Sequence, residues 1–176
     1  SEAGFTHGAL YGYFSSKEEL FYALTNPMVE QLTDILDKIR NKMETLPKEK
    51  QLNGMGDIYY PNIPNIVDIL ISDRNAVKLI VDCAKGTKYE GFLDNIAMRN
   101  AESIRIAAEN VEGKTVNSIE GQTMEVLMDG YIRTLFRLIL SNKKRETIIQ
   151  CMEMIGKIYE KGIMALMEED VEDELR

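Results

Sequence analysis

The sequence predicts an all-α fold, and three observations carry that prediction. Apolar residues recur at spacings of three and four through most of the 176 residues. No segment alternates with the two-residue period of a half-buried strand. Capping and helix-breaking residues punctuate the periodic stretches where helices should begin and end. With 44% hydrophobic and 28% charged residues, the chain has enough apolar side chains for a sizeable core, and with 12 Gly, 4 Pro and no repeat it is neither collagen-like nor low in complexity.

The elements follow in order. Residues 16–43 predict a long helix, opened by Ser16 and Glu19 as a capping box and broken or kinked at Pro27, which cannot donate the interior backbone hydrogen bond. Residues 46–61, with Pro47, Gly54, Gly56 and Pro61, predict a mobile connection. Shorter helices are expected over 62–72 and 74–85, with Pro61 and Pro64 at the first entrance and Asp73 capping the second. Leu93, Ile96, Ile104, Ala107 and Val111 mark another helix, stopped by Gly113. Met124, Leu127, Met128, Tyr131, Ile132, Leu135, Leu138 and Ile139 form a wide stripe on the next. In the last, over 145–168, Ile148, Met152, Ile155, Tyr159, Ile163 and Leu166 share one face while Lys157, Glu160 and Lys161 take the other. The short connection at residues 141–143 is expected to turn these two helices antiparallel.

A net charge of −8 excludes a surface that binds nucleic acid along its whole length, although the acidic segment 168–176 holds most of the excess and leaves −3 for the rest. Cys83 and Cys151, in helical apolar context without CxxC spacing, predict buried reduced thiols. No run has the length of a membrane span, and residues 1–24 lack the pattern of a signal peptide, so a soluble cytoplasmic protein is expected. His7 is the only histidine, which excludes multi-histidine metal sites and leaves a Ser-His-Asp triad one possible base with no acidic partner nearby in sequence, so an enzyme is disfavoured; no cofactor is implied.

The informative stretch is SEAGFTHGALYGYFSSKEELFYAL at residues 1–24. Gly4 ends a helix, Thr6 caps a short one that buries Leu10 and Phe14, and Ser16 opens the next. Gly8 and Gly12 share a face of the short helix, each at a cost of roughly 1 kcal/mol relative to Ala. Close approach to another surface compensates such a cost, whether that surface is a neighbouring helix or the base edges of a DNA major groove. Tyr11, Tyr13, His7 and Lys17 stand beside this strip, placed to reach phosphate oxygens.

Gly4, Phe5, Thr6, Leu10, Tyr11, Phe14, Ser16, Lys17, Glu18 and Leu20 together resemble the end of the DNA-binding module of the tetracycline-repressor (TetR) family of transcriptional regulators. The resemblance implies two domains: residues 1–24 as the carboxy-terminal part of a helix-turn-helix domain, and 25–176 as a helical ligand-binding and dimerisation domain. It makes residues 6–14 the recognition helix, with His7, Gly8, Ala9 and Gly12 facing bases and Thr6, Tyr11, Tyr13 and Lys17 holding the backbone. The family module starts with a full helix and most of a second, whereas this sequence starts inside the second, so the chain alone is expected to bind operator DNA poorly. The resemblance further implies a homodimer joined through the last two helices, where Gly121, Gly130, Gly156 and Gly162 permit close approach or serve packing within the chain. It implies a small-molecule effector held among the middle helices, for which Tyr59, Tyr60, Phe92, Asn95, Arg99, Met124, Met128 and Tyr131 are the candidates. Arg99 either neutralises an acidic ligand or pairs with Glu102 along its own helix. A ligand-responsive regulator, in the form of a repressor, is the function implied. A helical small-molecule-binding homodimer with no DNA role is the alternative.

Overall fold

The computed structural model describes residues 12–112 and 115–168, and the regular elements among them are all helical. Helix α1 spans Lys17–Glu44, α2 Met55–Tyr59, α3 Ile63–Ser72, α4 Arg74–Cys83, α5 Phe92–Glu112, α6 Ser118–Leu140 and α7 Arg145–Glu168. Gly113, the expected stop after α5, lies outside the described residues.

Helix α1 opens as predicted at Ser16, whose hydroxyl accepts the Glu19 N–H at 3.0 Å. The reciprocal half of the box is displaced by one residue. The Glu19 carboxylate accepts the N–H and hydroxyl of Ser15, both at 2.6 Å, and these bonds hold its carboxyl below the usual carboxylate range. Pro27 does not break the helix. Ala23, whose carbonyl loses the N–H that Pro27 lacks, is exposed along with Leu24 and Pro27, so water satisfies the orphaned acceptor.

The predicted mobile connection is instead a run of short helical turns. Single 3-10 turns at Lys48–Lys50 and Tyr60–Asn62 flank α2, and Leu52 and Ile58 are buried in the core. Gln51 donates to the Leu46 carbonyl at 3.2 Å and accepts from Asn110 of α5 at 2.8 Å, which fastens the first part of the segment to α5. Glycine and proline content marked a departure from long helix, but two buried apolar anchors outweighed it.

Helix α3 carries Pro64 in its first turn, and Asp73 caps α4 by accepting the Ala76 N–H at 2.9 Å. Asn117 and Glu120 form a complete capping box at the start of α6. Helices α6 and α7 form the expected hairpin, whose turn is fastened to α3 and α4. The Arg145 guanidinium makes two bonds to Asp68, at 2.5 and 2.8 Å, and Arg74 donates to the carbonyls of Ile139 at 3.0 Å and Lys143 at 3.3 Å. Arg145 beside it holds the Asp68 carboxyl below the usual range.

The core runs through α3, which packs against α1, α4, α6 and α7 and whose Ile63 and Val67 are fully buried together with Val77, Ile139 and Ile148. Ala97, Ala101 and Ala108 on the buried face of α5 let it lie close along α6. Cys83 corrects the sequence expectation, for it is exposed in the last turn of α4 with Val81 and Asp82, while Cys151 is half-buried; both are free.

Removing the inaccessible Ile148 side chain should therefore cost about 2–5 kcal/mol in an Ile148→Ala variant, against about 1 kcal/mol for Asp73→Ala at the α4 cap. Chemical denaturation of both variants checks the ordering.

Candidate functional site

Two regions of the sequence were singled out, one at each end of α1. Of the residues assigned to DNA, Thr6, His7, Gly8, Ala9 and Tyr11 lie outside the described residues. Gly12 and Tyr13 are helical and face solvent, Tyr13 with 82% of its surface exposed. A side chain at Gly12 would meet nothing within 4 Å, and Lys17 is exposed in the first turn of α1. These three side-chain positions are thus open to a macromolecular partner.

Behind them, the turn between α4 and α5 is clasped to α1. Tyr22 donates to Glu18 at 2.5 Å and accepts the Lys88 N–H at 2.9 Å, and Tyr89 donates to Asn26 at 2.7 Å. The Lys88 ammonium lies 4.5 and 4.9 Å from the ring centres of Tyr22 and Tyr89. Gly86 and Gly91 take the positive φ values of 79° and 73° that bend the turn back. Phe92, a predicted ligand residue, belongs to this clasp, its ring 6.0 Å from that of Tyr89.

At the other end of α1 lies a cavity of about 150 Å³, walled by Ile39 and Met43 of α1, Met55 and Tyr59 of α2, Ile104 of α5, Met128 and Tyr131 of α6, and Tyr159 and Ile163 of α7. Four tyrosines dominate it. Tyr131 donates to the Tyr59 hydroxyl at 3.0 Å and stacks obliquely on Tyr159, ring centres 4.9 Å apart. Tyr60 stands edge-on to Tyr59 and donates to the Glu160 carboxylate at 2.6 Å. Gly156 makes this arrangement possible, because a Cβ there would lie 3.0 Å from the Tyr60 ring and 3.4 Å from the Tyr131 hydroxyl. Burial is the main cause that raises the Tyr59, Tyr60 and Tyr131 hydroxyls above the usual phenol range, and the Glu160 carboxylate adds to it at Tyr60.

The structure brings Tyr59, Tyr60, Met128 and Tyr131 together in this cavity and leaves Phe92, Asn95, Arg99 and Met124 outside its lining. Asn95 faces solvent. Met124 is buried one turn before Met128, beneath a second groove of about 460 Å³ whose rim includes Arg99. Its arginines and Glu102 are paired with neighbours. Arg99 reaches Asp37 of α1 at 3.4 Å, and Glu102, its expected partner, is taken by Arg105 at 2.7 Å. The smaller cavity has the apolar walls with few polar groups that small-molecule sites share.

Glu160 and Tyr159 are among the cavity residues that sequence reasoning missed, with the apolar wall from α1, Ile104 and Ile163. Glu160 was assigned to the solvent face because it lies between Lys157 and Lys161. Its register shows otherwise, because Met152, Gly156, Glu160 and Ile163 follow the four-four-three spacing of one helix face.

The outer faces of the terminal hairpin carry exposed apolar side chains among charged ones. Ile119 and Val126 of α6 and Met154 and Ile158 of α7 are 59–73% exposed, and a side chain at Gly121 or Gly162 would meet open space. Gly156, by contrast, is occupied from within the chain. Among the described residues no cluster of His, Cys, Asp or Glu is arranged to hold a metal ion, and no helix is long and apolar enough to cross a membrane.

Comparison with protein families matches residues 1–24 to the model described as bacterial regulatory proteins, tetR family. That match supports a DNA-binding transcriptional regulator of this family. Comparisons with curated proteins and with solved structures gave no match.

The buried tyrosines set a pH limit. Their folded-state pKa values lie above the ordinary 10.0, so their contribution to stability is fully present below pH 10 and is lost as pH rises above it, where the unfolded chain ionises first. Alkaline titration followed by tyrosinate absorbance should show these hydroxyls ionising together with loss of helical circular dichroism. Their ionisation near pH 10 in the intact fold would contradict the burial.

Proposed function

We propose that this tetR-family regulator is a homodimeric, ligand-responsive repressor that holds operator DNA through the helix ending at Tyr13 and releases it when a small molecule fills the tyrosine-lined cavity. The family match at residues 1–24 is the observation that carries the reading. The open positions at Gly12, Tyr13 and Lys17 support it, as does the largely apolar, partly open cavity at the far end of α1. A ligand acts by favouring one arrangement of the two reader heads over another, to the extent that its affinity differs between them.

The exposed apolar residues of α6 and α7 support the dimer. Four large side chains and two uncovered glycines on adjacent helices form a surface that a second copy of the same hairpin covers as a four-helix seam. A Val126→Glu, Ile158→Glu double variant should sediment as a folded monomer at micromolar concentration, whereas the parent sediments as a dimer. A monomeric parent would overturn the assignment of this face.

Operator titration with the full-length protein tests the reading itself. Lys17→Ala should weaken binding to every sequence and lower the salt slope by about one, as loss of a single phosphate contact does. Gly12→Arg, which fills the strip assigned to the groove, should alter sequence preference or abolish specific binding. No effect of either substitution would favour a helical binding module without a DNA role.

A further inference from the structure

The tyrosine-lined cavity is built for a particular charge. The rings of Tyr59, Tyr60, Tyr131 and Tyr159 come from α2, the turn after it, α6 and α7, and aromatic faces carry partial negative charge that attracts cations. Glu160 is the only carboxylate in the lining. Tyr60 holds one of its oxygens, and among the described residues no cation pairs with it. Lys157 and Lys161, its neighbours on α7, are exposed. Lys157 does, however, lie 5.9 Å from the centre of the Tyr60 ring, so this ring already accepts a positive charge on one side. The lining contains one basic residue, Arg40, and its guanidinium bonds Asp37 of the same helix at 2.7 Å. An anionic ligand would meet a guanidinium already neutralised by Asp37 while facing Glu160. A neutral ligand would leave the carboxylate uncompensated as it expelled water from around it.

We propose that the effector is an organic cation, an apolar body carrying one ammonium group, with the charge seated among the tyrosine rings beside Glu160 and the body against Ile39, Met43 and Ile163. The inference rests on the cavity being the effector site. It reverses the acidic ligand that Arg99 suggested, since Arg99 lies outside the cavity and is paired with Asp37.

The test compares three probes on the full-length protein by equilibrium dialysis: benzyltrimethylammonium, its neutral carbon isostere neopentylbenzene, and the anion 4-tert-butylbenzoate. The cation should bind at least tenfold more tightly than the isostere, and the anion should bind most weakly. Glu160→Gln, which keeps the shape and the acceptor for Tyr60, should remove the cation's advantage and leave the isostere within about twofold. Equal or tighter binding of either other probe overturns the assignment, as does absence of cation binding or its indifference to Glu160→Gln. The comparison on the parent protein stands even where the variant is unstable. Operator release separates this claim from the repressor reading. Release by neutral compounds alone leaves the repressor and removes the cation, while cation binding without any change in operator affinity does the reverse.

Discussion

The missing side chain at Gly156 is the constraint on which the cavity depends. Glycine in a helix interior costs about 1 kcal/mol relative to alanine, and here the space is taken by the Tyr60 ring and the Tyr131 hydroxyl. With Tyr60 seated against α7, its hydroxyl meets Glu160 one turn further on. With Tyr131 seated beside it, its hydroxyl meets Tyr59. The Tyr59–Tyr60 segment and α6 are thereby fixed against one turn of α7. The Arg145–Asp68 pair and the Arg74 bonds hold the other end of that helix pair to α3 and α4.

The proposed regulation follows from how α1 is placed. At 28 residues it is roughly 40 Å long, with Lys17 in its first turn and Ile39 and Met43 on the cavity wall near its end. A ligand that presses on the last turns acts on the same rigid element that carries the reader. Two features qualify that rigidity. Pro27 removes one interior hydrogen bond a third of the way along, and the Tyr22–Lys88–Tyr89–Asn26 clasp ties the segment before it to the turn leading into α5. Helix α5 in turn contributes Ile104 to the cavity. The amino-terminal end of α1 is therefore connected to the cavity by two routes, along α1 and through α5.

Sequence periodicity made the helices legible, including the limits of α7 and the caps at Ser16 and Asp73, because each rests on local hydrogen bonding and a repeated apolar face. It failed where long-range contacts decide. Residues 46–61 contain the glycines and prolines of a loose link, yet burial of Leu52 and Ile58 orders them. Arg99 found its partner on α1, beyond the reach of helix spacing. Tyr59, Tyr60, Met128 and Tyr131 line one cavity, whereas Phe92, Asn95, Arg99 and Met124 stand outside it, a grouping set by tertiary packing that helix spacing does not reveal. Glu160 escaped because charge was weighed before register, although its position on the face of Met152 and Ile163 was visible in the spacing.

Reciprocity between the two sites gives the most direct measurement. If filling the cavity drives release, a compound that occupies it must bind operator-bound protein more weakly than free protein, by the same factor by which it weakens operator binding. Titrating such a compound into the protein with and without saturating operator duplex measures that factor from both sides of the cycle. The account predicts equal factors of at least fivefold, the lower end of ordinary allosteric coupling. Equal ligand affinity for the free and the operator-bound protein would contradict it, since cavity and reader would then be energetically independent.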